Sequence, residues 1–207
     1  MLADDQRSPT GSATATAGPP DVASLNANQR ARRGRIVDAA LAMMLEQDHS
    51  AIQMKAVSRA AGVALGTTYR YFPSKDQLLA EALAAWAERF PRLDGRQPGG
   101  RSVDRLKAVY RRAARSFEPN PTMYTAMAML ETSRDPIAAE TFDRFARRNR
   151  DVFTRAIPRV AQPRRDHIVL VMSSVLDNQL RHWSLGSIPV TEVYRSLDIT
   201  AELLLGD

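Results

Sequence analysis

Cysteine is absent from the 207 residues, so the chain has neither a disulfide nor a thiolate metal site, and a reducing compartment, the cytoplasm, is its expected location. Histidine is scarce. His49, His167 and His182 lie far apart, and none stands in a metal-ligand spacing such as H-E-x-x-H. No apolar run approaches the ~20 residues that a bilayer-spanning helix needs. The N-terminus has no basic start followed by an apolar stretch, so it does not read as a secretory signal. With no P-loop and no nucleophile elbow either, little remains from which to build a catalytic constellation. The expectation is a protein that is not an enzyme and has no metal, no cofactor and no membrane partner.

Positive charge is in excess. Lysine and arginine outnumber aspartate and glutamate 29 to 23, a formal net charge of +6, which suits a polyanionic partner. Many of the arginines lie beyond residue 100, so the balance alone supports nucleic-acid binding only weakly.

The most informative stretch is residues 53–79, QMKAVSRAAGVALGTTYRYFPSKDQLL. Val57, Ala60 and Ala61 put small apolar side chains on one face of a short helix, and Gly62 supplies the positive φ needed to leave it. Val63 begins a second short helix with Thr67, Thr68 and Arg70 facing outward. Pro73 closes it, and Ser74 with Gln77 makes an S-x-x-Q capping box for the next. Two short helices around a glycine turn form a helix-turn-helix, whose second helix enters a DNA major groove. Similar pairs occur in bundles that never meet DNA. Such a bundle, however, has no need for Thr67, Thr68, Tyr69 and Arg70 to follow a glycine on an outward face. Phe72 reads as core packing, and Tyr71 reads equally as core or contact.

The run Gly62-Val63, Gly66-Thr67, Tyr69 and Tyr71-Phe72-Pro73-Ser74-Lys75 resembles the DNA-binding domain of the TetR family of transcriptional repressors. The resemblance implies that Thr67 and Tyr69 hydrogen-bond phosphates and that Lys75 pairs with another phosphate at the start of the next helix. It also implies that Lys55 reaches a base edge, where a lysine can donate to guanine O6 and N7. Gly66 would permit close approach of the backbone to DNA, or serve only as a packing glycine. Three positions depart from the family pattern: Gln53-Met54 where a Thr or Ser cap is usual, Ala64-Leu65 for the usual Ser-Lys pair, and Thr68 for a leucine. Leu65 can offer only apolar contact, for instance to a thymine methyl.

Stretches 53–57, 69–75 and 203–207, together with Asn120-Pro121 and Ala126-Met127, are similar to the repressors of cholesterol and steroid catabolism within this family. Those repressors respond to steroid-derived acyl-CoA thioesters, which implies a large, lipid-like effector.

The rest of the chain reads as helical. Residues 1–25, rich in Ser, Thr, Ala, Gly and Pro, are expected to be a disordered tail. Gln29 to Arg35 is a cluster of four arginines, Arg33 among them, placed just before the first helix. It is either a mobile arm or helix start reaching DNA phosphates or the minor groove, or a solvated helix end. Ile36, Val37, Ala40, Leu41, Met44 and Leu45 recur at helical spacing, as do Leu78, Leu79, Ala82, Leu83, Trp86 and Phe90. Residues 91–102 are a Pro/Gly-rich break. Beyond it, Asn120-Pro121, Asp135-Pro136, Asp166 and Thr191 read as helix starts, with Gly186 as a stop. The expected fold is all-α with about nine helices. It comprises a helix-turn-helix domain over 26–80 and an effector-binding and dimerisation domain over 81–207.

The resemblance further implies a two-fold dimer on a palindromic duplex DNA operator, and a small apolar effector held between the C-terminal helices. The last two helices are apolar over more than one face, which points to a dimer interface through Val171, Val175, Leu176, Leu180, Leu197 and Leu204; burial inside one subunit is the alternative. Effector lining is expected from Trp86, Phe90, Tyr110, Phe117, Met123, Tyr124, Met127, Phe142, Phe145 and Trp183, since methionine and aromatic surfaces shape adaptable pockets. Plain core packing is the alternative at each. Arg144, Arg147, Arg148 and Arg150 read as a solvated face or as partners for an acidic ligand group. The sign of regulation stays open between a repressor and a ligand-sensing activator or multidrug-type sensor, with a non-specific DNA organiser as a further alternative.

Overall fold

The computed structural model describes residue 20, residues 22–89 and residues 100–206. Among them the chain forms nine α-helices and no strand. These are α1 (Ala27–Glu46), α2 (Met54–Ala60), α3 (Leu65–Tyr71), α4 (Lys75–Glu88), α5 (Ser102–Phe117), α6 (Pro121–Glu131), α7 (Pro136–Ala156), α8 (Arg164–Ser184) and α9 (Val190–Leu205). Phe90 and the 91–99 part of the break lie outside the described residues, as does most of the expected tail.

Helix α1 starts earlier than its apolar periodicity indicates. Asn26 accepts from the Gln29 backbone N–H at 3.0 Å, and Gln29 Oε1 accepts from the Asn26 N–H at 2.9 Å, a reciprocal capping box. The arginine cluster is therefore part of the helix and not an arm before it. The expected tail ends sooner too: Val22–Ser24 makes a 3-10 turn and Leu25 is buried, its carbonyl accepting from Arg30.

The three-helix domain is built on apolar side chains of α1 meeting those of the short pair. Ile36, Val37, Ala40 and Leu41 are buried with Val57, Tyr71 and Phe72. Gly62 turns the chain at φ +65°, a conformation that an L side chain rarely adopts. A buried polar contact then fixes α2 against α3: Ser58 Oγ donates to the Met54 carbonyl at 2.7 Å and lies 2.8 Å from Thr68 Oγ1.

Ser74 caps α4, accepting from the Gln77 N–H at 3.1 Å. The expected box closes on one side only, because Gln77 Oε1 is buried without a partner. Helix α4 packs on α1 in one direction and on α6 and α7 in the other, which makes it the element shared by both parts of the molecule. Leu78, Leu79, Ala82, Leu83 and Trp86 are all buried.

In the C-terminal bundle Asp135 caps α7 through the Ile137 and Ala138 N–H groups, both at 2.9 Å. Burial works to raise its carboxyl, but hydrogen bonds from Ser74 and these amides hold it below the ordinary value. Asn120 sits before Pro121 but makes no side-chain cap bond, and α8 and α9 begin slightly ahead of Asp166 and Thr191. Helices α5 and α9 are clipped by Arg111–Asp198 and Lys107–Glu202. Helix α8 packs on α9 on one side and on α5, α6 and α7 on another, while α9 also packs directly on α5.

Candidate nucleic-acid interface and effector cavity

The fold divides the residues of α3 between two faces. Leu65 and Tyr69 are 39% and 46% exposed, high for large apolar side chains, and Gly66 and Arg70 are exposed beside them. A Cβ at Gly66 would meet no atom within 4 Å, so internal packing does not require glycine there. Thr67 is half-buried. On α2, Lys55 and Arg59 are exposed and share one helical face by their four-residue spacing. Arg59 was not singled out from the sequence, although that spacing from Lys55 was visible.

Four expected contacts lie elsewhere. Thr68 is fully buried, because its hydroxyl is the partner of Ser58. A polar partner across the helix pair explains why a threonine, and not a leucine, fits this position. Tyr71 is 3% exposed, with the Arg70 guanidinium 5.4 Å above its ring. The Arg33 guanidinium stacks 4.8 Å over the Phe72 ring and pairs with Glu81 of α4 at 3.1 Å. Arg33 therefore clamps α1 to α3 and α4 instead of reaching outward. Lys75 Nζ donates to the His49 carbonyl at 2.8 Å and the Ile52 carbonyl at 3.2 Å, which ties the lead-in of α2 to the start of α4.

A cavity of about 1070 Å³ opens between α4, α5, α6, α7 and α8. Trp86, Phe117, Met127, Phe142, Phe145 and Phe153 form its apolar wall. The Trp86 and Phe117 rings are 5.1 Å apart and tilted by 46°. Its polar lining includes Arg112, Arg148, Arg150, Arg155, Asp177 and Arg181. Of the expected lining residues, Tyr110, Met123, Tyr124 and Trp183 are not in the wall. Tyr110 and Met123 are fully buried core, and Trp183 is packed, half-buried, against it. Tyr110 donates to the Val169 carbonyl at 3.0 Å and meets Ser173 Oγ at 3.0 Å, while Tyr124 meets Asp177 Oδ1 at 2.9 Å. Burial pushes both phenols well above their ordinary value, and beside Tyr124 the Asp177 carboxylate adds to the push. Both stay neutral hydroxyls. They brace α5 and α6 against α8, behind the cavity.

The apolar residues of α8 and α9 also divide. Leu176, Leu180 and Leu197 are buried within the chain, and Val175 and Leu204 are half-buried. Val171 is exposed, together with Ile199 and with Leu203 of the apolar run that ends α9; Leu203 is 81% exposed. Among the described residues no cluster of His, Cys, Asp and Glu could hold a metal ion, and no helix is long and apolar enough to cross a membrane.

Comparison with known proteins accords with this geometry. Residues 36–82 match the family profile "Bacterial regulatory proteins, tetR family", and residues 99–204 match "Tetracyclin repressor-like, C-terminal domain". The chain is 36% identical over 197 residues to the HTH-type transcriptional repressor KstR of Rhodococcus jostii, covering 94% of this chain and 92% of that one. Its fold is similar to that of a TetR transcriptional regulator from Rhodococcus sp. RHA1, with a TM-score of 0.73, 23% identity, and 86% and 97% of the two chains covered. It is also similar to Thermus thermophilus FadR, a TetR-family repressor solved in complex with lauroyl-CoA, with a TM-score of 0.64, 20% identity, and 84% and 94% covered. With a helix-turn-helix carried on α1, a separate helical C-terminal part, and KstR-like sequence along nearly its whole length, the chain belongs to the TetR family of bacterial transcriptional regulators.

Proposed function

We propose that the protein is a ligand-responsive repressor that binds a palindromic operator as a homodimer and is released by an apolar effector of the acyl-CoA or steroid-thioester kind. The observation that carries this reading is the position of α4. It packs on α1 of the DNA-binding part, and its Trp86 and Ala87 form part of the cavity wall. A ligand that favours one placement of α4 thereby favours one placement of α3, which shifts the population able to bind DNA.

In this reading Lys55 and Arg59 of α2, and Leu65, Gly66, Thr67, Tyr69 and Arg70 of α3, face the major groove and its phosphates. Val171, Ile199 and Leu203 support pairing of two subunits through α8 and α9, because exposed large aliphatic side chains on neighbouring helices are costly to leave in water. The two α3 helices would then meet half-sites roughly 34–36 Å apart, or a multiple of that. The cavity suits a bulky effector, being at the upper end of the ~300–1,000 Å³ usual for small-molecule sites. The lauroyl-CoA held by the FadR neighbour and the KstR likeness favour a thioester of coenzyme A.

An electrophoretic shift with the DNA upstream of the protein's own coding sequence tests the reading. Retention that survives excess random DNA and is lost on adding lauroyl-CoA or a steroid-derived acyl-CoA is expected. Retention lost equally to all DNA would identify a non-specific binder instead.

A further inference from the structure

Consecutive residues at the end of α4 reach in opposite directions. Glu88 Oε1 accepts from Arg148 of α7 at 3.1 Å, and Arg89 donates to Asp38 of α1 at 3.3 Å. Two turns earlier Glu81 faces both neighbours by itself, 3.1 Å from Arg33 of α1 and 3.9 Å from Arg144 of α7. Arg148 has a second environment, because it also lines the cavity beside Trp86 and Ala87. Its pair with Glu88 is open to solvent, with side chains 49% and 66% exposed. Such a pair is weakly held, since water and salt screen it and two long side chains lose freedom in forming it. A guanidinium forms its strongest contacts with a forked anion that accepts two parallel N–H bonds, whereas Arg148 makes one hydrogen bond to Glu88.

We propose that Arg148 reads the anionic group of an apolar ligand in the cavity, and that it does so by exchanging Glu88 for that group. The inference rests on the cavity being the effector site. The exchange makes ligand charge matter to α4. Once Arg148 is taken, Glu88 loses its partner on α7, and the end of α4 is released from α7 while its packing on α1 persists. A neutral ligand of the same shape fills the apolar wall and leaves the Glu88 pair in place. The ligand class is therefore an apolar body bearing a phosphate or carboxylate, whose charge adds the release of Glu88 to the contact its body makes with Trp86 and Ala87 of α4.

Dodecyl phosphate and 1-dodecanol share a chain and differ in charge, so calorimetric titration of both into the full-length protein isolates the effect. Arg148→Gln is expected to weaken dodecyl phosphate about tenfold, the loss of a charge-assisted contact, while 1-dodecanol changes less than about twofold. Glu88→Gln is expected to tighten dodecyl phosphate about threefold, by removing a weak competitor for the guanidinium. If Arg148→Gln weakens both probes equally, or neither, the inference is overturned and the cavity reading stands. Unchanged dodecyl phosphate affinity in Glu88→Gln overturns the exchange. If the unsubstituted protein binds neither probe, the cavity reading itself fails, and this inference with it.

Discussion

In and beside the helix-turn-helix, three polar side chains are held within the chain: the Ser58 and Thr68 hydroxyls meet at 2.8 Å, and the Lys75 ammonium is held by backbone carbonyls. Around the cavity, Arg148 and Arg150 of α7 stand beside an apolar wall of Trp86, Phe117 and Phe145, and Arg148 reaches a glutamate on another helix in a solvent-exposed pair. The first region is closed, so its geometry is fixed before DNA arrives. The second is open, so its charges are free to change partners. A recognition surface gains from rigidity because ordering it on binding costs free energy. A sensor gains from a contact weak enough for a ligand to replace.

The comparison breaks most severely if the closed region is hollowed. Phe72 is fully buried beneath the Arg33 guanidinium. Phe72→Ala should cost about 3–5 kcal/mol and abolish operator binding by unfolding the domain, visible as loss of the cooperative melt. Lys55→Ala should leave the melt intact and relax base preference at one operator position by about 1–3 kcal/mol. A uniform loss across sequences in a binding-site selection would reassign Lys55 to the phosphates. Thr68→Ala removes one member of the buried hydroxyl pair and should destabilise by about 1–2 kcal/mol in chemical denaturation. It should leave base preference unchanged, because the side chain does not reach the surface. Smallest is Tyr69→Ala, which should weaken operator binding by about 1 kcal/mol without lowering Tm if this exposed side chain meets a phosphate as proposed. Unchanged affinity would remove Tyr69 from the contact set.

Much of the fold was legible because its signals are local. Gly62 and Gly186 have positive φ, Pro73 and Pro158 follow helix ends, and Asp135-Pro136 opens α7 as its residue types require. The start of α1 is legible too, in the Asn26 and Gln29 capping-box spacing, although the apolar periodicity begins only at Ile36. The faces of α3 were harder. Whether Thr68 points in or out depends on Ser58, ten positions earlier, turning toward it. The inward turn of Arg33 was illegible for the same reason, since its partners Phe72 and Glu81 are distant in sequence. In the C-terminal part, composition marked the aromatic residues but could not separate the wall-forming Phe117 and Phe145 from the core-forming Tyr110, because that division follows helix rotation. Of the four arginines singled out on α7, Arg148 and Arg150 border the cavity, which only the packing of α7 against α4 and α8 decides.

The most direct test of the account is the operator affinity of the protein, measured by fluorescence anisotropy with and without a saturating acyl-CoA. Coupling through α4 predicts that the ligand weakens operator binding by roughly 5–150-fold, and that operator DNA weakens ligand binding by the same factor. Equal operator affinity with the ligand demonstrably bound would contradict it.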